Sequence, residues 1–71
     1  MSPLTDETRG TLIAHADDVA HSLSEKWGRA VVGDPKYDEV RGWHIRVIGL
    51  LGDNEIDTVL ISSDGARELV R

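Results

Sequence analysis

The stretch Gly42-Trp43-His44-Ile45-Arg46-Val47-Ile48-Gly49-Leu50-Leu51-Gly52-Asp53-Asn54-Glu55-Ile56-Asp57-Thr58-Val59-Leu60-Ile61-Ser62 decides the fold. Two apolar, β-branched-rich runs flank a cluster of turn residues, which is the pattern of a β-hairpin. The first strand runs from Trp43 to Leu51 and its partner from Ile56 to Ser62, with Gly52-Asp53-Asn54-Glu55 as the turn. A tight connection is expected to set Leu51 opposite Ile56. Side chains alternate along a strand. That register puts Trp43, Ile45, Val47, Leu51, Ile56, Thr58 and Leu60 on one face. His44, Arg46, Ile48, Leu50, Asp57, Val59 and Ile61 then lie on the other.

The first of these faces is the expected core. The second is not polar enough to be a plain solvated face, because Ile48, Leu50, Val59 and Ile61 become neighbours on it. Contiguous apolar patches of this kind on small proteins often carry a function. Three occupants are possible: the C-terminal segment through Leu69 and Val70, a second copy of the chain, or a different protein. His44 and Arg46 would form the rim of such a partner-binding surface. The edge strands of the sheet offer a second route to a two-fold dimer, through unpaired backbone groups.

Upstream of the hairpin, Leu12, Ala16, Val19, Ala20, Leu23 and Trp27 recur at helical spacing and trace one stripe. Ser2 can cap this helix with Pro3 at its first position, and Asp6 and Glu7 suit its dipole. Gly10 weakens the helix interior by about 1 kcal/mol relative to Ala, so the helix could start as late as Thr11. Gly28 marks its end. A strand from Arg29 to Val32 follows, broken by Gly33-Asp34-Pro35, and Asp34 to Arg41 reads as a loop. At the C-terminus, Ala66, Arg67, Glu68 and Leu69 favour a short helix over a fourth strand. The expected architecture over residues 1–71 is therefore one small α+β domain. An N-terminal amphipathic helix packs on a three-stranded antiparallel sheet (α-β-β-β), and a short C-terminal helix follows. This order matches double-stranded-RNA-binding domains. However, Asp64-Gly65-Ala66-Arg67 lacks the lysine-rich start of that family's longer second helix, and no family is assigned.

Composition narrows the function further. The chain has 71 residues, no cysteine and a formal net charge of −5. A chain of this length buries a thin core, and no disulfide or thiolate metal site can add to it. Association is the remaining common source of stability. No apolar run is long enough for a membrane helix. The polar, acidic start Met1-Ser2-Pro3-Leu4-Thr5-Asp6-Glu7 has no signal-peptide pattern, so the cytoplasm is the default location. Net negative charge opposes loose binding to nucleic acid.

No catalytic constellation is legible. His15 and His21 diverge by roughly 120° around the helix and do not converge on one ion. Ser62 and Ser63 fall near His44, but no acid orients a triad. Asp17/Asp18, Asp38/Glu39 and Asp53/Glu55/Asp57 are acidic clusters without the rest of a cation-binding loop. The glycines form no phosphate-binding loop, and Trp27 and Trp43 fall on core faces. The sequence thus leads to a non-enzymatic interaction or regulatory protein that needs no cofactor or metal. It would act through Ile48, Leu50, Val59, Ile61, His44 and Arg46, as a homodimer or docked on another protein. Two alternatives remain: a nucleic-acid-associated regulator using Arg29, Lys36, Arg41 and Arg46, and an acidic inhibitor occupying a basic groove.

Overall fold

The computed structural model describes residues 3–70. Helix α1 (Asp6–Trp27) is followed by strands β1 (Arg29–Val32), β2 (Lys36–Asp38), β3 (Gly42–Leu51), β4 (Asn54–Ser62) and β5 (Arg67–Val70). All strand pairs are antiparallel, in the order β1-β3-β4-β5, and β2 also pairs with β3. His44 pairs with both Lys36 and Ser62, so β2 lies on the side of β3 away from β4. Strands β1 and β2 thus form one edge, interrupted at Gly33-Asp34-Pro35. The Gly33 N–H still donates to the Arg46 carbonyl at 2.8 Å, which keeps the interrupted edge against β3.

The α+β class and the helix-first order agree with the sequence, but the sheet has five strands rather than three. Part of the expected 34–41 loop is β2, held by an edge-to-face contact between Tyr37 and Trp43 with ring centroids 5.5 Å apart. The expected C-terminal helix is β5. Gly65 takes a left-handed φ of 88°, and its N–H donates to the Ser62 carbonyl. The Asp64 carboxylate accepts from the Ala66 N–H at 3.0 Å. These bonds turn the chain back on β4, and a strand ladder outweighs the modest helix preference of four residues.

Thr5, not Ser2, caps α1: its hydroxyl accepts from the Thr8 N–H at 3.1 Å. Ser2 lies outside the described residues. The helix runs through Gly10 and ends at Gly28, whose left-handed φ of 106° lets its N–H reach the Ser24 carbonyl.

The hairpin register differs from the expected one. Leu51 pairs with Asn54 across a two-residue turn, Gly52-Asp53, in which only Gly52 has a positive φ. A two-residue loop with glycine first suits the right-handed twist of the strands. One residue later the ladder slips: Leu50 pairs with Glu55 but Gly49 pairs with Asp57, leaving Ile56 as an extra residue on β4. Beyond this bulge Val47 pairs with Val59 and Ile45 with Ile61. A one-residue change in register moves a whole strand's side chains to the other face. Val59 and Ile61 therefore turn toward α1, and Thr58 and Leu60 turn away from it.

The core is one cluster of Leu12, Ala16, Val19, Leu23, Ile45, Val47, Val59 and Ile61, flanked by the partly buried Trp27 and Trp43. The stripe read from the sequence is the face that α1 buries. At Gly49 the helix comes so close that a Cβ would sit 3.0 Å from Trp27 Cδ1 and 3.4 Å from Leu23 Cβ. Glycine is needed here for close approach, since its φ is ordinary. The Trp27 indole N–H donates to Asp57 at 2.8 Å and fixes the helix end over the bulge. Helix α1 lies over β1, β3 and the margin of β4 and does not reach β5. Leu69, on the helix side of β5, is 58% exposed as a result.

Gly49→Ala is expected to destabilise the chain by about 1–3 kcal/mol through overpacking against Trp27 and Leu23. Urea unfolding followed by tryptophan fluorescence measures this. An unchanged midpoint would mean that the helix does not pack this closely.

Candidate functional site

The face of the sheet opposite α1 follows from the register, because paired residues of an antiparallel ladder project to the same side. Four rows cross it. Lys36, His44 and Ser62 form one row, followed by Arg46, Leu60 and Glu68. The third row is Val31, Ile48, Thr58 and Val70, and the fourth is Arg29, Leu50 and Glu55. The middle of this face is apolar. Ile48, Leu50, Thr58 and Val70 are half-buried, Leu60 is buried, and Val31 is exposed.

Of the partner-binding residues expected from the sequence, Ile48, Leu50, His44 and Arg46 lie together here. Val59 and Ile61 do not. They are 9% and 0% exposed beneath the helix, because the bulge at Ile56 reverses β4. Their places are taken by Thr58 and Leu60, and β1 and β5 add Val31 and Val70. The C-terminal segment does not cover the face either, since β5 continues the sheet instead of crossing over it. Val31 could have been found by pairing Arg29–Val32 with the first hairpin strand. The role of Val70 was hidden by reading residues 64–71 as a helix.

One end of the face is closed by ion pairs. Arg41, in the β2–β3 turn, donates from Nε to Glu68 at 2.7 Å and from a terminal nitrogen to Asp38 at 3.0 Å. A second terminal nitrogen donates to Glu68 at 3.1 Å, giving a two-pronged contact. Arg41 thus ties β5 to β2 across the two intervening strands, β3 and β4. The Asp38 carboxylate also accepts the backbone N–H groups of Arg41 and Val40, at 2.6 and 2.9 Å. Chiefly through the Arg41 backbone bond, its pKa is held below the usual aspartate range. The side-chain hydrogen bonds from the Arg41 guanidinium lower the Glu68 carboxyl. The two carboxylates in turn raise the pKa of Arg41. His44 is 12% exposed beside this network, with Nδ1 3.0 Å from the Gly42 carbonyl and 3.7 Å from Asp38. A bond to a carbonyl requires that Nδ1 carry the proton.

The four cations of the arginine strip share this face but are not equivalent. Arg41 is neutralised by two carboxylates, whereas Arg29, Lys36 and Arg46 have no ion pair among the described residues. The acidic clusters are also partly spent internally, with Asp38 on Arg41 and Asp57 on Trp27. On the helix, His21 meets Glu25 at 3.0 Å, and the ring of His15 packs over Gly65. Among the described residues no three His, Cys, Asp or Glu side chains converge on a metal position. No described helix is long and apolar enough to cross a membrane. A recess of about 560 Å³ at the end of β5 is lined by Lys26, Trp27, Glu55, Ile56, Asp57, Thr58 and Val70. Its polar groups are partly engaged, since Asp57 accepts from Trp27 and the Lys26 ammonium sits 5.1 Å above the indole.

No protein-family model, curated protein or solved structure matches the chain.

The Arg41 network predicts an acid-sensitive stability. Folded-state pKa values of Asp38 and Glu68 lie below their ordinary 3.8 and 4.5. Their contribution is therefore full above the ordinary values and is lost as pH falls through the folded ones. Urea midpoints measured from pH 6 down to pH 3 should fall for the wild type. The fall should be shallower for Arg41→Ala, and equal slopes would mean that the network does not hold in solution.

Proposed function

We propose that this chain is a protein-association module that works through the helix-free face of its sheet. The observation that carries the reading is the row Val31, Ile48, Thr58 and Val70, apolar but for the Thr58 hydroxyl, with Leu50 beside it, over which no described element packs. A sheet with one layer of helix normally leaves a polar outer face. Here the middle of that face is largely apolar and most of its charges sit at the ends and edges, with the exposed Arg46 on the inner strand β3, a layout close to that of a binding patch with a polar rim. Lys36, His44 and the Arg41 network bound one end. Arg29 and Glu55 bound the other. The reading assigns no reaction to the chain: the only described histidine on this face is His44, and it stands beside an arginine–carboxylate network rather than a nucleophile.

The same sheet supplies an internal control. Ile48→Asp places a charge on the proposed association face and should leave the native fold within about 1 kcal/mol of wild type. Ile61→Asp places a charge in the core and should unfold the chain. Circular dichroism melts of the two variants, together with binding of the dye ANS, report on this. At a dilution that leaves the wild type monomeric, Ile48→Asp should stay folded and bind less dye than the wild type. Unfolding of Ile48→Asp would identify that face as interior and overturn the reading.

A further inference from the structure

Building on the association face just described, we infer that its occupant is a second copy of this chain, packed face to face about a two-fold axis parallel to the strands. The charge pattern carries the argument. On this face the unpaired cations lie on the β1–β3 half: Arg29 on β1, Lys36 on β2 and Arg46 on β3. The β4–β5 half carries Glu55, which has no ion pair among the described residues, whereas Glu68 on this half and Asp38 on the other are both taken up by Arg41. Among the described residues, the unpaired charge of the face is therefore cationic on one side of its midline and is the carboxylate of Glu55 on the other.

Such a pattern is self-complementary in only one of the two face-to-face orientations. A two-fold parallel to the strands sets the β1–β3 half of one copy against the β4–β5 half of the other. Ile48 then meets the partner copy's Thr58, and Val31 meets its Val70. Leu50 lies over the partner copy's Glu55, one strand spacing from the position its own Arg29 reaches. Arg29 thus comes within side-chain reach of Glu55 of the partner copy, twice per dimer. A two-fold across the strands would instead bring the Arg29 end of the β1–β2 edge onto the Lys36 end of the same edge in the partner copy. Like charges would meet there. An isologous contact of this kind closes on itself, because the same face of both copies is used up in it.

The size of the patch agrees. Four strands about 4.8 Å apart and four rows about 6.7 Å apart give a plan area on the order of 500 Å². That is the same order as the roughly 800 Å² of accessible surface each partner contributes to a standard interface. Sheets packed face to face sit about 10 Å apart with their strands nearly aligned, which the strand-parallel axis permits.

The test is charge reversal with mixing, read as solution mass by sedimentation equilibrium. The wild type should be dimeric. Arg29→Glu and Glu55→Arg each place like charges at both contacts and should raise the dimer Kd about tenfold or more. An equimolar mixture of the two variants should recover wild-type association as a heterodimer, because each contact then pairs one arginine with one glutamate. High salt should weaken the wild-type dimer and narrow the gap between it and the variants. A wild type that stays monomeric while its face still binds dye would remove the second copy as occupant and leave the association face standing. A dimer that Ile48→Asp dissociates but the charge variants do not would overturn the proposed two-fold. A dimer indifferent to Ile48→Asp as well would overturn both readings.

Discussion

The turn at Gly52-Asp53 and the extra residue at Ile56 decide which side of β4 meets the helix, and much else depends on that. With Leu51 on Asn54 and one residue bulged out, Val59 and Ile61 fall opposite Val47 and Ile45. The four form a block that Leu12, Ala16, Val19 and Leu23 cover. Without the bulge the two strands would present their apolar residues to opposite faces, and α1 would find half a core beneath it. The Trp27–Asp57 bond and the close approach at Gly49 stand at the same place. The helix end and the bulge are thus fixed against each other.

Much of the fold was legible in the sequence because it rests on local periodicity. The stripe from Leu12 to Trp27, the glycine stop at Gly28 and the two hairpin strands are short-range patterns. Features that depend on pairing were harder to read. β2 has three residues, and its packing depends on Tyr37 meeting Trp43, six positions away. β5 contains good helix formers, and only its ladder with β4 and the Asp64–Gly65 turn make it a strand. The hairpin register was missed for a similar reason. A bulge leaves composition and alternation unchanged, so Ile56 gives no local sign that it is the extra residue. That one residue moved Val59 and Ile61 from the expected association face into the core. Ile48, Leu50, His44 and Arg46 stayed on the open face because β3 alone determines their side.

The correction leaves an apolar outer face but changes its composition. In place of four aliphatic residues from two strands, it has a row drawn from four strands, with Thr58 near its centre and charges at its margins. Its chemistry is correspondingly more ordered. Arg41 draws β2 and β5 together at one end and uses up two carboxylates there. Arg29, Lys36 and Arg46 remain on one half and Glu55 on the other. A thin core covered by helix on one side only, together with a charge-divided outer face, connects the small size of the chain to association through that face.

The central claim is the register of β3 on β4, and cross-strand backbone contacts measured by NMR test it most directly. Nuclear Overhauser contacts that pair Val47 with Val59 and Ile45 with Ile61, together with Gly49 opposite Asp57, are the predicted result. Contacts pairing Val47 with Leu60 and Ile45 with Ser62 would contradict it, returning Val59 and Ile61 to the outer face.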